Sequence, residues 1–459
     1  MVVLCVDVGS TFTKAALVDS ETGALLATAS HATTLETDVL DGVYACRDQI
    51  ARQHPDAATA EVLACSSAGG GLRVAVIGTE VLVTAEAGRR VALSSGGKVA
   101  IVSAGGLDAR KLGLVRAAEP DVVLLVGGTD GGNAAVLEAD AALLADGRWT
   151  GPVVVAGNVE AQPQVAAVLQ GAGIPVVLAD NVMPRIGVLA PESARRAIRE
   201  VFLSHVIGGK ELSPGTRFVE MVQGPTPDLV LSGVEVLAEL VGARGVAVVD
   251  VGGATTDVHS VVPLDPEDAQ VTDGLSREVV ASTPVTRTVE GDLGMRWSAL
   301  STYEAGLEAG LLASELRSAA VRRTQEPGLL PDTDVERAED AALATAAITL
   351  AVRRHVGRSR VVVSPEGRVV ERSGKDLREV ALLVGSGGAL RHTSPEGVTA
   401  ILEPATGTSP EGWQLPEHPQ VVVDRDYVLA AVGLLAPRLP SAAAALARSL
   451  IGCEEIYDS

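Results

Sequence analysis

Apolar positions along this chain fall in short runs of valine, leucine, isoleucine and alanine, each ended by glycine and followed by helical spacing. The pattern recurs at Val2–Lys14, Val99–Lys111, Val122–Ala142, Val153–Val168, Val246–Asp257 and Ala381–Arg391. A β-branched run, a tight turn and then a helix predict parallel strands joined by crossover helices. The spacing is irregular, which excludes a solenoid repeat. Residues 98–180 read as a self-contained set of βα units, with strands near 99–103, 122–126, 153–156 and 175–178. Residues 181–212 read as helical, with Pro191-Glu192-Ser193 opening a helix. A helix over Asp228–Leu240 precedes a strand at Gly245–Val251, and 258–264 and 276–290 read as strands of a more antiparallel region. Residues 300–356 are mostly helical, a hairpin is expected around Pro365-Glu366-Gly367, and 393–425 reads as loop. Tyr427–Ala436 predicts a helix rich in small residues. Soft boundaries near 97, 212 and 243 mark three parts: 1–97 with 212–242, an inserted 98–211, and 243–459.

Composition narrows the class. The 459 residues are 47% hydrophobic, enough for several buried cores and too apolar for a disordered chain. No run approaches the roughly 18 apolar residues of a membrane span. Aromatics make up only 2%, so the cores are packed from small aliphatic side chains, as in strands buried on both faces. A net charge of −21 argues against nucleic-acid binding, which needs a basic footprint. The amino terminus runs straight into a strand without a basic flank, so no signal peptide is expected. Cys5, Cys46, Cys65 and Cys453 are scattered and form no C-x-x-C pair, which disfavours disulfides and zinc or iron–sulfur ligation and fits a reducing cytoplasm.

Three motifs carry chemistry. In Val6-Asp7-Val8-Gly9-Ser10-Thr11-Phe12-Thr13-Lys14 an apolar strand delivers an aspartate into a tight turn lined with hydroxyls, and a lysine follows. Amides and hydroxyls suit phosphate oxygens, and the carboxylate suits Mg²⁺ held through water. Val248-Val249-Asp250-Val251-Gly252-Gly253-Ala254-Thr255-Thr256-Asp257 repeats the arrangement in the second half. Two such turns supply two carboxylates for a metal and an attacking water, and can grip a phosphate chain from both sides. Leu382-Leu383-Val384-Gly385-Ser386-Gly387-Gly388 is a buried strand ending in glycines, where a base or ribose could approach the backbone.

In this order and spacing the motifs resemble the phosphate-1, phosphate-2 and adenosine motifs of the actin/hexokinase/heat-shock ATPase superfamily. The resemblance implies an α/β, actin-like (ribonuclease H-like) two-domain fold with an α/β subdomain inserted in the first half. It implies that ATP and Mg²⁺ are the ligands, with Asp7 and Asp250 orienting the metal and the hydrolytic water. Gly9, Ser10, Thr11, Thr13 and Lys14 would approach the phosphates from one side, and Gly252, Gly253, Ala254, Thr255 and Thr256 from the other. Gly385, Ser386, Gly387 and Gly388 would face the adenosine. Lys14 either binds a phosphate or pairs with an acid. Asp228–Leu240 and Tyr427–Ala436 stand where the superfamily places its connecting helices, and a close helix crossing accounts for Ala430, Ala431 and Gly433.

A closer resemblance rests on residues 66–78 (SSAGGGLRVAVIG), 127–133 (GGTDGGN), 180–189 (DNVMPRIGVL), 290–296 (EGDLGMR) and 426–435 (DYVLAAVGLL). These look like the accessory proteins of adenosylcobalamin-dependent glutamate mutase, the MutL or GlmL family, which shares only a name with the mismatch-repair ATPase. The family implies a slow, chaperone-like ATPase that reactivates a cobalamin mutase, its protein partner. Two alternatives are a small-molecule kinase of the superfamily, for which no sugar-kinase signature is visible, and a non-hydrolysing scaffold. A dehydratase activator is disfavoured, because its electron transfer needs clustered cysteines.

Other positions are weighed against plainer roles. The 127–133 loop is either a second ligand platform or a pair of turns with Asp130 as a helix cap. Glu290 and Asp292 either position water near the cleft or shape a turn. His259 reads as a strand-face residue, Arg353-Arg354-His355 as a helix end suited to its dipole, and Glu86 with Arg89 and Arg90 as a solvated face.

Overall fold

The computed structural model describes residues 1–242, 244–263, 283–364 and 367–452. The chain divides into two compact units, one built mainly from Met1–Gly233 with Ala430–Ala443, the other from Val234–Pro263, Pro284–Leu429 and the segment after 443.

The first unit holds two five-stranded sheets. One comprises β1 (Val2–Val8), β2 (Phe12–Asp19), β3 (Leu25–Ala32), β4 (Glu61–Ser66) and, later in the chain, β10 (Val222–Pro225), in the order β10-β4-β1-β2-β3. β1 to β3 form an antiparallel meander, while β4 runs parallel to both β1 and β10. Apolar side chains of β1 and the helix Val39–Ala51 close its core.

The second sheet is wholly parallel: β5 (Leu72–Gly78), β6 (Gly97–Ala104), β7 (Val122–Leu125), β8 (Val153–Val155) and β9 (Val176–Leu178), in the order β6-β5-β7-β8-β9. It takes in one strand more than the four expected, since β5 pairs with both β6 and β7. Strand alternation sends Val74 and Val76 to one face, against the helices Thr84–Ser94 and Glu192–Val201. Ala75 and Ile77 go to the other, against Ala109–Ala117, Ala135–Asp146 and Gln162–Gly171. All four residues of β7 are buried, which is why it reads as a continuous apolar run. Of the helical stretch expected over 181–212, residues 181–191 are irregular, and the α-helix starts at Glu192 behind Pro191.

The second unit repeats the first sheet's plan. β11 (Val246–Val251), β12 (Thr256–Val261), β13 (Val285–Glu290), β16 (Leu382–Ser386) and β17 (Gln420–Val423) stand in the order β13-β12-β11-β16-β17, with the same antiparallel and parallel pairings. This duplicated order is the actin-like, ribonuclease H-like α/β fold. The long helix Asp334–His355 packs beneath it and begins with a capping box between Thr333 and Glu336. The expected hairpin is β14 (Arg358–Ser364) against β15 (Gly367–Ser373), with Pro365 and Glu366 outside the described residues. The part of the expected strand at 276–282 and Cys453 also lie outside them. The stretch 393–425, expected as loop, contains β17 and a helix at Pro395–Leu402, where Ser394 caps the amide of Gly397 and Pro395 takes the first turn.

The two small-residue helices are present as Thr226–Val241 and Val428–Leu435. A Cβ on Gly433 would stand 1.8 Å from the carbonyl oxygen of Leu229, so only glycine permits this crossing. Cys5, Cys46 and Cys65 are buried free thiols. Among the described residues no helix is long and apolar enough to cross a membrane.

Buried imidazoles give the second unit a built-in acid sensitivity. His355 bonds Ser260 Oγ at 2.8 Å through Nε2 and Thr288 Oγ1 at 2.9 Å through Nδ1, and His259 lies buried on β12. Burial, reinforced by Lys375 for His355 and by Arg287 for His259, holds both far below the ordinary histidine pKa. The unfolded chain therefore binds protons that the folded one refuses. Stability is fully present above the ordinary histidine pKa of about 6.5 and is lost below it, by up to about 1.4 kcal/mol per pH unit for each histidine. Denaturant titrations from pH 7.5 to 5.5 should show this slope, and His355→Gln should flatten it.

Candidate functional site

β1 carries its apolar residues inward and delivers Asp7 as its penultimate residue, with the side chain 11% exposed. The turn that follows closes with Gly9 N donating to Phe12 O at 3.1 Å. A Cβ on Gly9 would stand 2.7 Å from that same oxygen, so the closure requires glycine. Thr33 braces the turn, its hydroxyl donating to Gly9 O at 2.8 Å and its amide to Thr11 O at 2.9 Å. Ser10 and Thr11 stand exposed, and among the described residues their amides have no protein acceptor. Thr13 differs from its expected place. Strand alternation turns it fully inward, and its hydroxyl bonds Thr33 Oγ1 at 3.1 Å. Lys14, opposite Asp7 in the β1–β2 register, places Nζ 3.6 Å from Asp7 Oδ2.

Thr226 is a residue that sequence reasoning missed. It opens the helix Thr226–Val241, and its hydroxyl donates to Asp7 Oδ1 at 2.6 Å. The Gly-Pro-Thr-Pro junction between β10 and that helix was the available signal. Cys65 Sγ donates to the same oxygen at 3.7 Å, and burial, with the nearby Asp7 charge, pushes its thiol well above the ordinary range. Cys65 is thereby an inert neutral donor. The glycines that follow β4 (Ser66 to Gly71) occupy the place that Gly385–Gly388 take after β16, a correspondence visible once both sheets are known.

The second turn is the first rebuilt. Asp250 is the penultimate residue of β11, Gly252 N donates to Thr255 O at 2.9 Å, and the amides of Gly253 and Ala254 have no protein acceptor among the described residues. Thr256, like Thr13, is fully buried, with its hydroxyl on Leu293 O at 3.0 Å. Thr255 Oγ1 donates to Asp257 Oδ2 at 3.0 Å. Asp257 takes the register place of Lys14 and is held by Arg287.

The 290–296 segment buttresses this turn from behind. Met295 N donates to Gly252 O at 2.9 Å, Arg296 N to Gly253 O at 2.8 Å, and Ser298 Oγ to Ala254 O at 2.6 Å. Arg296 is anchored on Asp340 at 2.9 Å, and Asp340 also accepts from the fully buried Arg323. With its carbonyls tied back, the turn leaves its amides facing outward. Glu290 and Asp292 are both gripped by Arg354, at 2.7 and 2.8 Å. Burial raises Glu290 against the pull of Arg354, whereas the hydrogen bonds from Arg354 lower Asp292.

In the third motif, Ser386 lies beside Asp250 in the parallel register of β11 and β16. Gly387, at φ 106°, packs so closely that a Cβ would come 2.2 Å from Val251 O, and one on Gly385 would press on Leu390. These two glycines serve packing. Gly388 faces open space and is the one free to meet a ligand. Elsewhere Asp130 caps no helix, since its carboxylate accepts from Asn181 Nδ2 and Val159 N. Glu86 pairs with Arg89 and Arg90 as expected of a helix face. Among the described residues no cluster of three or more metal-ligating side chains exists. Each turn offers one carboxylate, which suits a metal bound mainly through water and phosphate.

The duplicated fold and its paired turns place the chain in the actin-like α/β class. The family model described as "MutL protein" matches residues 3–451, and Protein MutL of Clostridium tetanomorphum is 37% identical over 453 residues, covering 96% of this chain and 97% of the relative. The chain belongs to the MutL family. Among solved structures, nucleotide-free acetone carboxylase is similar with a TM-score of 0.41 and 15% identity, covering 95% of this chain and 70% of that one. The activator of 2-hydroxyisocaproyl-CoA dehydratase from Clostridium difficile with bound ADPNP has a TM-score of 0.31 and 10% identity, with full coverage of both chains. Both likenesses are remote, and the family assignment rests on the sequence matches.

Gly294 tests the buttress. A Cβ there would stand 2.6 Å from the backbone carbon of Ala254. Gly294→Ala should cost about 1–3 kcal/mol of stability, as overpacking does, measurable by thermal unfolding. It should also displace the amides of Gly253 and Ala254.

Proposed function

We propose that this chain is an ATP-binding, slowly ATP-hydrolysing accessory protein that reactivates or assembles an adenosylcobalamin-dependent mutase. The observation that carries the nucleotide reading is the same turn built twice, each with a strand-delivered aspartate, a closure on a glycine amide and two following amides that have no protein acceptor among the described residues. Such amide nests bind phosphate oxygens without a net positive charge, which matters on a chain of net charge −21.

In this reading the amides of Ser10, Thr11, Gly253 and Ala254 receive the phosphates, and the hydroxyls of Ser10 and Thr11 add further contacts, while that of Thr255 is already donated to Asp257. Thr13 and Thr256 brace the turns. Asp7 and Asp250 hold water around Mg²⁺, which when bound neutralises the phosphate charge. Asp250 would also orient the attacking water, and Lys14, 3.6 Å from Asp7, would place a positive charge beside the first turn. Gly388 is the approach point for the nucleoside. Slow turnover suffices, because a change of bound nucleotide can bias a two-state conformational equilibrium that a partner senses. The mutase as partner is supported by family membership.

Asp250→Ala should lower ATP turnover by on the order of 10²-fold or more, with unchanged circular dichroism. Asp7→Ala should weaken both binding and turnover. Undiminished hydrolysis by Asp250→Ala would show that the second turn is not the site. With Mg²⁺ and ATP, the chain should restore glutamate mutase stalled with inactive cofactor, and Asp250→Ala should not. Hydrolysis without rescue would leave an ATPase whose partner lies elsewhere.

A further inference from the structure

The parallel sheet of the first unit is doubly wound, in the order 2-1-3-4-5 of its own strands, and none of its residues takes part in the nucleotide reading above. Sheets of this kind bind ligands at the carboxyl ends of their strands, beside the switch point between the first and third. Here loops from neighbouring strands meet closely at that edge. A Cβ on Gly127 would stand 2.4 Å from Thr79 Oγ1, and one on Gly157 would stand 2.7 Å from Gly127 O. What this edge presents outward is therefore set by the side chains of the loops themselves.

What the loops present is apolar. Ile186 is 70% exposed, Leu82 72% and Val81 68%, with Val159 and Val188 also exposed. Single exposed aliphatics mean little, but several gathered along one edge mark an interaction surface. These loops are also firmly built. Asp130 is the hub: its carboxylate accepts from Asn181 Nδ2 at 2.8 Å and Val159 N at 3.2 Å, and its amide donates to Pro184 O at 3.1 Å. Asn181 and Asn158 are nearly fully buried, and they bond Gly128 O and Gly132 O at 3.0 Å each. Val188 N closes the turn on Arg185 O at 3.0 Å, leaving Ile186 at its tip. A buried polar network that holds an aliphatic side chain out into water is wasted on folding but is suited to an anchor that loses little entropy on binding.

We propose that this edge is the docking surface for a protein partner, with Ile186 and Val159 as its apolar anchors. Its rim carries the exposed acids Glu80, Glu160 and Asp180, with the exposed Arg185 among them. The matching partner surface is an apolar patch flanked by lysines and arginines, because rim charges of opposite sign steer encounter and fix orientation. The choice of mutase as probe rests on the proposed function; the location of the surface does not.

The test titrates purified glutamate mutase with the full chain, as wild type, Ile186→Asp, Val159→Asp and the double charge reversal Glu160→Lys/Asp180→Lys. Wild type should bind, and each aspartate variant should raise the Kd by about tenfold or more. The charge reversal should weaken binding by a few-fold and flatten its dependence on salt. Thermal unfolding and ATP turnover should match wild type in all three. Equal binding by wild type, Ile186→Asp and Val159→Asp would overturn the docking surface while leaving the mutase reading intact. No binding by the wild type would overturn both. Self-association of the chain that Ile186→Asp abolishes would make the occupant a second copy, and would overturn the proposal as well.

Discussion

Everything at the candidate site depends on a backbone constraint: a strand-to-strand turn that closes on a glycine amide and leaves the next two amides unspent. Gly9 N to Phe12 O and Gly252 N to Thr255 O are the same closure. Amides without partners are costly unless water or a ligand satisfies them. The fold keeps them available by tying the carbonyls of the same turns backward, through Thr33 in the first and through Met295, Arg296 and Ser298 in the second. The two braces differ in kind. The first is local, a threonine at the end of β3. The second is long-range and anchored through Arg296, Asp340 and Arg323 into the helical layer.

The repeats have diverged where chemistry would demand it. Lys14 in the first stands at the register place of Asp257 in the second. Lys14 stays beside Asp7, whereas Asp257 is neutralised by Arg287. One turn thus keeps a cation beside its carboxylate, and the other keeps an internally paired acid. Thr13 and Thr256 occupy equivalent inward places in both, which identifies the last hydroxyl of each motif as structural support.

The acidic loop after β13 shows how charge is managed close to such a turn. Arg354, from the end of the long helix, holds both Glu290 and Asp292. Without that clamp two carboxylates would stand near the second turn and repel an incoming phosphate chain. The run Arg353-Arg354-His355, which suits a helix terminus by its dipole, therefore also ties the loop and the buried serine and threonine of the neighbouring strands.

By itself the sequence determined the alternation of strand and helix, both aspartate-glycine turns, the two small-residue helices and the family, because each is written in local spacing or in contiguous motifs. It could not place β5 between β6 and β7 in the parallel sheet, since strand pairing over long separations leaves no local trace. Nor could it show that Thr13 and Thr256 point inward, that Gly385 and Gly387 serve packing, or that Thr226 reaches Asp7 from a position 219 residues away. Those facts depend on which backbones lie side by side. Only the folded chain sets that, because a hydroxyl or a glycine acquires its role from the atoms packed against it and not from its neighbours in sequence.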